Sequence, residues 1–189
     1  MLKYAYDIHT TVLVYPYLAH ASRMALEQAR VAKERSLYMA SMLLDAFCLE
    51  AYLNYLGSRK VGFWDLVERR LAPREKLHLL LTLHHESVDM GSRPFETFRL
   101  IFRLRNQLVH AKPATLVESG EAEIADDEVP PRPETEWERL ITPEIAQRFY
   151  DDTIAMIERL NRLLLRRKVD WSLQSSLYCM APKSIEPTS

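Results

Sequence analysis

The sequence predicts a single all-α domain, and three observations support that prediction. The chain of 189 residues is long enough for one well-buried core and too short to need two. It contains only four glycines, whereas the helix-favouring residues Leu, Ala, Glu and Arg are abundant. Apolar residues recur at intervals of three and four, as expected for helices with a buried side. We therefore expect four to five main helices in one domain over 1–189.

The first two predicted helices occupy 16–34 and 36–56. Pro16 fits the first turn of a helix, because a backbone N–H at that position would have no acceptor within the helix. From there, neither glycine nor proline interrupts the chain before Gly57, which is a suitable C-terminal stop. The alternative is one long helix that bends near Ser36.

The second predicted helix is apolar around nearly its whole circumference. One apolar face consists of Leu37, Leu44, Phe47, Ala51 and Tyr55. A second face consists of Met39, Met42, Ala46, Leu49 and Leu53. A helix of this kind is buried on both sides, so we expect another copy of the chain to cover Met42, Leu49 and Leu53. The prediction is a homodimer.

The rest of the chain is predicted to contain shorter helices, a loop and a tail. The helices are expected at 63–71, from Pro73 onwards, at 94–111 (the third major helix) and at 143–166. Residues 113–136 are acidic and rich in proline, which predicts a long surface loop before the last helix. The core then spans 16–166 and is followed by a tail, 169–189, whose apolar residues are expected to pack on the protein: Trp171, Leu173, Leu177 and Tyr178.

Charge and composition bear on the partners of the chain. The formal net charge is −1, so no overall basic field would attract RNA or a membrane surface, and any anion site must be local. The N-terminal residues do not have the pattern of a signal peptide, and no stretch approaches about 20 consecutive apolar residues. Cys48 and Cys179 lack metal-type spacing. We expect a cytoplasmic protein without membrane attachment.

The third major helix, PFETFRLIFRLRNQLVHAK, has a predicted core side. Its apolar arc consists of Phe98, Ile101, Phe102, Leu104, Leu108 and Val109. Arg105 falls inside that arc, where a guanidinium is costly to bury unless a carboxylate pairs with it. We expect the partner to be Glu50, which lies beside Asn54 on the second helix, with Asp45 as the alternative.

The other side of this helix is predicted to be a polar stripe. Its members, at spacings of four, three and four, are Arg99, Arg103, Asn106 and His110. His110 lies in the last turn, where the helix dipole favours an imidazolium. An imidazole that transfers protons, beside arginines that offset charge on a phosphorane, suits phosphodiester cleavage without a metal. The alternative is that the spacing arises by chance and that His110 only caps the helix.

The motif and its surroundings resemble the HEPN superfamily, which includes many bacterial ribonuclease toxins and defence proteins. The motif of that family is Arg, a polar residue that is often Asn, three variable residues and His; here it stands as R-N-Q-L-V-H at 105–110. The segment LLDAFCLEAYLNYLG at 43–57, EKL at 75–77 and PFETF at 94–98 are also similar. The resemblance covers about 16–166, without the acidic loop and the tail.

The resemblance implies a HEPN-like bundle that dimerises with two motifs facing each other across a cleft. Active members cut RNA without a metal and leave a cyclic phosphate, so a toxin or phage-defence endoribonuclease is expected. By position, His110 would be the acid/base group, Arg105 the phosphate-stabilising cation and Asn106 the group that orients His110 or the substrate. Arg99, Arg103, Glu50 and Asn54 would support them. The partners implied are RNA and an antitoxin or a nucleotidyltransferase.

Two alternatives to the ribonuclease stay open at the level of sequence. Some members of the superfamily are non-catalytic dimers that bind nucleotides or a nucleotidyltransferase. A helical interaction protein with a purely structural motif is another alternative. A metal site is weakly suggested by His78, His84, His85 and Glu86. These four lack a firm ligand pattern, so we expect a solvated helix face and neither metal nor cofactor. The acidic loop would repel RNA, or shield the site, if it lay over the cleft.

Overall fold

The computed structural model describes residues 12–113, 115–117, 132–169 and 171. Within these residues 72% are helical and none forms a strand, which confirms the all-α class. The helices are α1 (Val14–Ala32), α2 (Arg35–Lys60), α3 (Trp64–Val67), α4 (Pro73–Leu83), α5 (Phe95–Val109), α6 (Glu136–Leu140) and α7 (Pro143–Leu160). Helix α7 continues into a π-helical turn, Asn161–Leu165. The major predicted helices are therefore present, with boundaries shifted by a few residues.

Helix α2 is the centre of the bundle. Helix α1 folds back along it, and α4, α5 and α7 pack around its other sides. The Tyr52 hydroxyl donates to Oδ1 of Asn161 at 3.2 Å, and its ring meets that of Tyr15 edge to face. By length and composition α2 would also fit a membrane span, but half of its apolar window is buried by the other helices, as in the core helix of a soluble protein.

The burial of the two apolar faces of α2 differs from the prediction. Met42, Leu49 and Leu53 are each at most 1% exposed within a single chain, so they form no strip for a second copy to cover. Phe47, assigned to the other face, is 42% exposed. The sequence pattern showed that both faces were apolar but not which one the later helices would cover. The proposed site of dimerisation on Met42, Leu49 and Leu53 is therefore wrong.

Gly57 does not end α2, which continues to Lys60. Gly57 is buried, and a Cβ built on it would lie 2.0 Å from Cε2 of Trp64. The glycine is needed because the indole of α3 packs directly on the helix backbone at that position. In the predicted helix 63–71, only Trp64–Val67 is α-helical.

The end of the predicted acidic loop contains a short helix that the sequence analysis missed. Thr135 caps α6: its hydroxyl accepts from the backbone N–H of Glu138 at 3.2 Å, and its own N–H donates to the Glu138 carboxylate at 2.8 Å. The Arg132 guanidinium binds the same carboxylate, and these hydrogen bonds lower the pKa of Glu138 to about 2. The loop residues 118–131 lie outside the described part of the chain.

The start of α5 is fixed against α7 by a buried carboxylate. Arg93 donates to both oxygens of Asp152 at 2.8 Å, and the Thr97 hydroxyl donates to it as well. Arg148 then donates to the Thr97 hydroxyl oxygen at 3.0 Å and to Glu96 at 2.7 Å. Because these bonds join both helices, they set the orientation of the helix that contains the candidate motif.

The predicted packing of Trp171 is confirmed. Its ring lies edge-on to Tyr15, with 6.3 Å between centroids, and its Nε1 donates to Glu158 at 3.4 Å. The rest of the tail, 172–189, lies outside the described residues.

Candidate functional site

Helix α5 has the two sides that its sequence predicts. All four residues of the predicted polar stripe are exposed: Arg99, Arg103, Asn106 and His110. The apolar arc is buried at Phe98, Ile101, Phe102 and Leu104. Leu108 is only half-buried, and Val109 is 59% exposed, contrary to its assignment to the arc. Both lie in the last turn of α5, where the core contacts of the helix end.

Arg105 lies at the edge between these two sides, and its pairing with Glu50 is confirmed. Its Nη2 is 3.6 Å from Oε2 of Glu50, and its side chain is 28% exposed. Its Nη1 donates to Oδ1 of Asn106 at 3.0 Å. Its Nε is buried and has no hydrogen-bond partner among the described residues. The guanidinium is therefore held through both terminal nitrogens, and its Nε donor is buried.

Lys76 is a further member of this cluster that the sequence analysis did not identify. Its Nζ is 3.3 Å from Oε1 of Glu50, and its side chain is only 4% exposed. One carboxylate thus lies between two cations, Lys76 and Arg105. The sequence does indicate that Lys76 is buried, since Lys76 precedes Leu80 by one helical turn and so belongs to the apolar side of α4.

Asp45, the alternative partner of Arg105, is occupied elsewhere. It is fully buried beneath α1, where the Ser22 hydroxyl lies 2.6 Å from its Oδ1. Burial raises the pKa of Asp45 well above its usual range, with only partial compensation from that hydrogen bond. The same Ser22 oxygen is 3.1 Å from the Ser41 carbonyl oxygen. The Ser22 hydroxyl is placed to donate to Oδ1 of Asp45, whereas Oδ2 of Asp45 is buried without a hydrogen-bond partner among the described residues.

Asn54, predicted to support the site, lies one turn after Glu50 on α2. Its Oδ1 is buried without a hydrogen-bond partner among the described residues. Within the same part of the chain no hydrogen bond joins Asn54 to α5. The structure therefore places Asn54 on the same face of α2 as Glu50, without a hydrogen bond to the motif among the described residues.

His110 is the residue that ends α5. Its backbone N–H donates to the carbonyl oxygen of Asn106 at 3.0 Å, and its side chain is exposed. Arg105 and His110 are about 140° apart around the helix axis. Asn106 lies between them, since it accepts from Arg105 and precedes His110 by one turn. The motif thus presents an anchored guanidinium and a solvent-accessible imidazole on two sides of α5, with Asn106 between them.

A carboxylate from the end of the acidic loop lies on the polar stripe. Glu136, the first residue of α6, forms an ion pair with Arg103 and accepts from Nε2 of Gln107 at 3.1 Å. Both members of the ion pair are more than half exposed. Arg99, by contrast, has no ion pair within the described residues. Glu136 therefore reduces the positive charge of the stripe at Arg103.

The histidines of α4 do not form a metal site in the part of the chain that the structure describes. No group of three or more His, Cys, Asp or Glu side chains there is arranged to hold an ion. Glu86 is paired with Arg166 at 3.2 Å, and His78 is exposed. Among the described histidines of this segment, His84 has a buried Nε2 without a partner.

Comparison with protein-family models, with curated proteins and with solved structures finds no match for this chain. The likeness to the HEPN superfamily therefore rests on the motif and segments quoted above. Any functional interpretation has to be argued from the cluster around Arg105 and from the exposed end of α5.

Proposed function

We propose that this chain is a metal-independent endoribonuclease of the HEPN type, in which the end of α5 acts on the phosphodiester backbone of RNA. The observation that supports the proposal is the cluster in which Lys76 and Arg105 share Glu50. Two cations and one carboxylate leave one positive charge in excess. Because Lys76 is buried, that excess is available to a ligand at the half-exposed guanidinium of Arg105.

The geometry of Arg105 fits a phosphate group. Each terminal nitrogen of a guanidinium has two N–H groups, so Nη1 and Nη2 each have a second N–H for a phosphate oxygen besides their contacts with Asn106 and Glu50. Glu50 and Asn106 orient the group through its two terminal nitrogens. This fixed orientation reduces the rearrangement needed when negative charge develops on a phosphorane. The net charge of −1 for the whole chain is not an obstacle, because the excess charge is local.

The proposed reaction uses the 2′-hydroxyl of RNA as the nucleophile. The 2′-oxygen bonds to phosphorus, the bond from phosphorus to the 5′-oxygen breaks, and the products end in a 2′,3′-cyclic phosphate and a 5′-hydroxyl. One group removes the 2′-hydroxyl proton and another protonates the 5′-oxygen. His110 is suited to either transfer because its imidazole reaches solvent at the end of α5. Arg105 would stabilise the phosphorane between the two transfers.

We propose a homodimer as the active form, so that His110 of each copy serves one of the two proton transfers. The face of α2 available for this contact is the one around Phe47, which is 42% exposed and precedes Glu50 by one turn. Leu43 and Ala51, on the same side of the helix, are half-buried. A second copy over this face would shield Phe47 from water and place two motifs beside one RNA backbone.

A cellular role as a toxin or phage-defence component follows from this proposal, with an antitoxin or a nucleotidyltransferase as the class of partner. The ribonuclease activity of such an enzyme has to be inhibited until it is needed. The exposed pair of Arg103 with Glu136 supports a site that is partly neutralised at rest. An exposed ion pair is weak enough for an RNA phosphate to displace its carboxylate.

The experiment is cleavage of a labelled single-stranded RNA in the presence of EDTA. The wild type should cleave, and His110→Ala should lower the rate on the order of 10²- to 10⁴-fold while the circular dichroism spectrum is unchanged. His78→Ala is the matched control, because His78 is an exposed histidine on α4. Cleavage that is equal in wild type and His110→Ala would contradict the proposal. No cleavage, together with specific binding of a nucleotide or partner, would favour the non-catalytic dimer.

A further inference from the structure

A cavity of about 510 Å³ opens where the turn between α1 and α2 meets the start of α7. Its volume lies within the range of small-molecule sites, roughly 300–1,000 Å³. Three cations, a phenol and two apolar residues line it: Arg30, Lys33, Arg35, Tyr38, Ile141 and Pro143. We refer to it as the basic cavity. None of these residues belongs to the α5 motif or to the cluster around Arg105, so the cavity has no part in the proposed RNA site.

The three cations of the basic cavity outnumber the carboxylates that pair with them. Arg35 forms an ion pair with Glu134 at 2.6 Å. Arg30 donates to a neutral group, the amide oxygen of Gln147, and forms no ion pair within the described residues. Lys33 forms none there either. Two positive charges of the cavity are therefore without a carboxylate in the part of the chain that the structure describes.

Tyr38 adds a hydroxyl that the fold does not use. The residue is only 7% exposed, yet its hydroxyl has no hydrogen-bond partner in the described part of the chain. The oxygen is not one of the unpartnered polar atoms that are sealed from solvent, so the exposed fraction of Tyr38 includes it. Because Tyr38 lines the cavity, this hydroxyl is directed into it. A buried tyrosine usually gives its hydroxyl a partner, and here a ligand can supply one.

The ends of the helices also favour an anion in the basic cavity. Helix α2 begins at Arg35, without a side-chain cap, and α7 begins at Pro143, so the positive ends of two helices border the cavity. Helix α1 ends there, but Lys33 at its C-cap offsets its negative end. The adjacent carboxylates, Glu34 and Glu144, are exposed and do not line the cavity.

The basic cavity also has an apolar part. Ile141 and Pro143 contribute no polar side-chain atom, and the aliphatic stems of Arg30 and Lys33 extend this surface. Inorganic phosphate alone would leave it uncovered. A phosphate monoester with a flat apolar ring uses both parts, since its phosphate meets the free donors and its ring covers the two apolar residues.

We propose that the basic cavity binds a small phosphate monoester that carries an aromatic ring. The phosphate accepts hydrogen bonds from Arg30, Lys33 and the Tyr38 hydroxyl, and the ring packs on Ile141 and Pro143. Three donors around one dianion match the number of phosphate oxygens that an ester leaves free. The site is separate from the RNA site and does not depend on whether the chain cleaves RNA.

Isothermal titration calorimetry of the full chain with phenyl phosphate tests the site, at low salt and about pH 7.5, where the phosphate is largely a dianion. The wild type should bind phenyl phosphate with a dissociation constant below about 1 mM. Inorganic phosphate should bind at least about fivefold more weakly, because it cannot cover Ile141 and Pro143. The absence of binding at 1 mM, or equal affinity for the two compounds, overturns the proposal.

Two variants test the donors without disturbing the fold. Tyr38→Phe removes only an unpartnered hydroxyl, so it should raise the dissociation constant about tenfold at an unchanged melting temperature. Lys33→Asn removes a charge at a left-handed position, φ 54°, that asparagine adopts readily, and it should raise the constant about fivefold. Arg74→Gln, at an exposed cation of α4, is the control and should change nothing. Wild-type affinity in both cavity variants overturns the proposal.

Other occupants of the basic cavity give different results. Binding of phenyl phosphate that is absent in the wild type but present in the double variant Asp126→Asn, Asp127→Asn would assign the cations to the acidic segment of the chain itself. Displacement of phenyl phosphate by a single-stranded RNA without terminal phosphates would make the cavity an RNA surface. Either result overturns the proposal. His110→Ala should bind phenyl phosphate like the wild type, so this site and the ribonuclease can fail separately, and loss of binding in that variant would place the ligand at α5 instead.

Discussion

Replacing Glu50 with Gln should destabilise the protein far more than removing the charge of Lys76. Glu50 lies 3.3 Å from Lys76 Nζ and 3.6 Å from Arg105 Nη2. At an effective dielectric constant of about 20, each attraction is about 5 kcal/mol before desolvation is subtracted. Loss of the carboxylate leaves an ammonium that is only 4% exposed without its ion partner, which typically costs about 3–5 kcal/mol. We expect about 3 kcal/mol, because Glu50 itself is a quarter exposed.

Lys76→Met leaves Glu50 paired with Arg105 and removes the buried ammonium, so its cost should be below about 1 kcal/mol. Urea unfolding at neutral pH, followed by circular dichroism, gives both free energies of unfolding. In the double variant no buried lysine is left without a partner, so its cost should be smaller than that of Glu50→Gln alone. Equal costs for the two single variants, with simple additivity in the double variant, would refute a shared carboxylate.

Three further changes test other parts of the structure. Burial raises the pKa of Asp45, so the stability that its neutral form contributes is present at low pH and is lost as the pH rises. Asp45→Asn should therefore gain stability relative to wild type as the pH rises above the ordinary carboxyl pKa, and a difference in thermal unfolding that is constant with pH would contradict this. Glu136→Gln frees Arg103 and should lower the dissociation constant for an uncleavable 2′-O-methyl RNA about fivefold, without a change in the melting temperature of the protein. An unchanged dissociation constant in fluorescence anisotropy titrations would contradict the idea that Glu136 neutralises the polar stripe. Gly57→Ala should lower the free energy of unfolding in urea by about 2 kcal/mol, because the new Cβ would overlap Trp64. An unchanged free energy of unfolding would mean that the indole shifts freely and would contradict this reasoning.

The part of the site that lies on α5 could be predicted from sequence because helical periodicity alone determines it. The polar stripe is exposed, and Arg105 lies at the edge of the buried side, where Glu50 pairs with it as the partial burial of a charge requires. The second cation, Lys76, was missed because lysine is usually solvated and its place beside Leu80 was the only signal.

The predictions that were wrong concern features that depend on tertiary packing. Periodicity showed two apolar faces on α2 but did not determine which one α4, α5 and α7 would cover, so Met42 was placed outside and Phe47 inside. Gly57 was interpreted as a helix stop because the approach of Trp64, seven residues later, leaves no local signal. Glu136 reaches Arg103 only because the chain returns to α5 after the acidic loop. Contacts between distant segments of this kind cannot be derived from spacing.

The most direct test of the proposed function is the chemistry of the RNA ends formed in the presence of EDTA. Purified wild type incubated with a single-stranded RNA should yield 2′,3′-cyclic phosphate and 5′-hydroxyl ends, identified by mass spectrometry. His110→Ala should form these ends at a rate lower by on the order of 10²-fold or more. His78→Ala should form them at the wild-type rate. Ends of the 3′-hydroxyl and 5′-phosphate type, or equal product from wild type and His110→Ala, would contradict cleavage by Arg105 and His110.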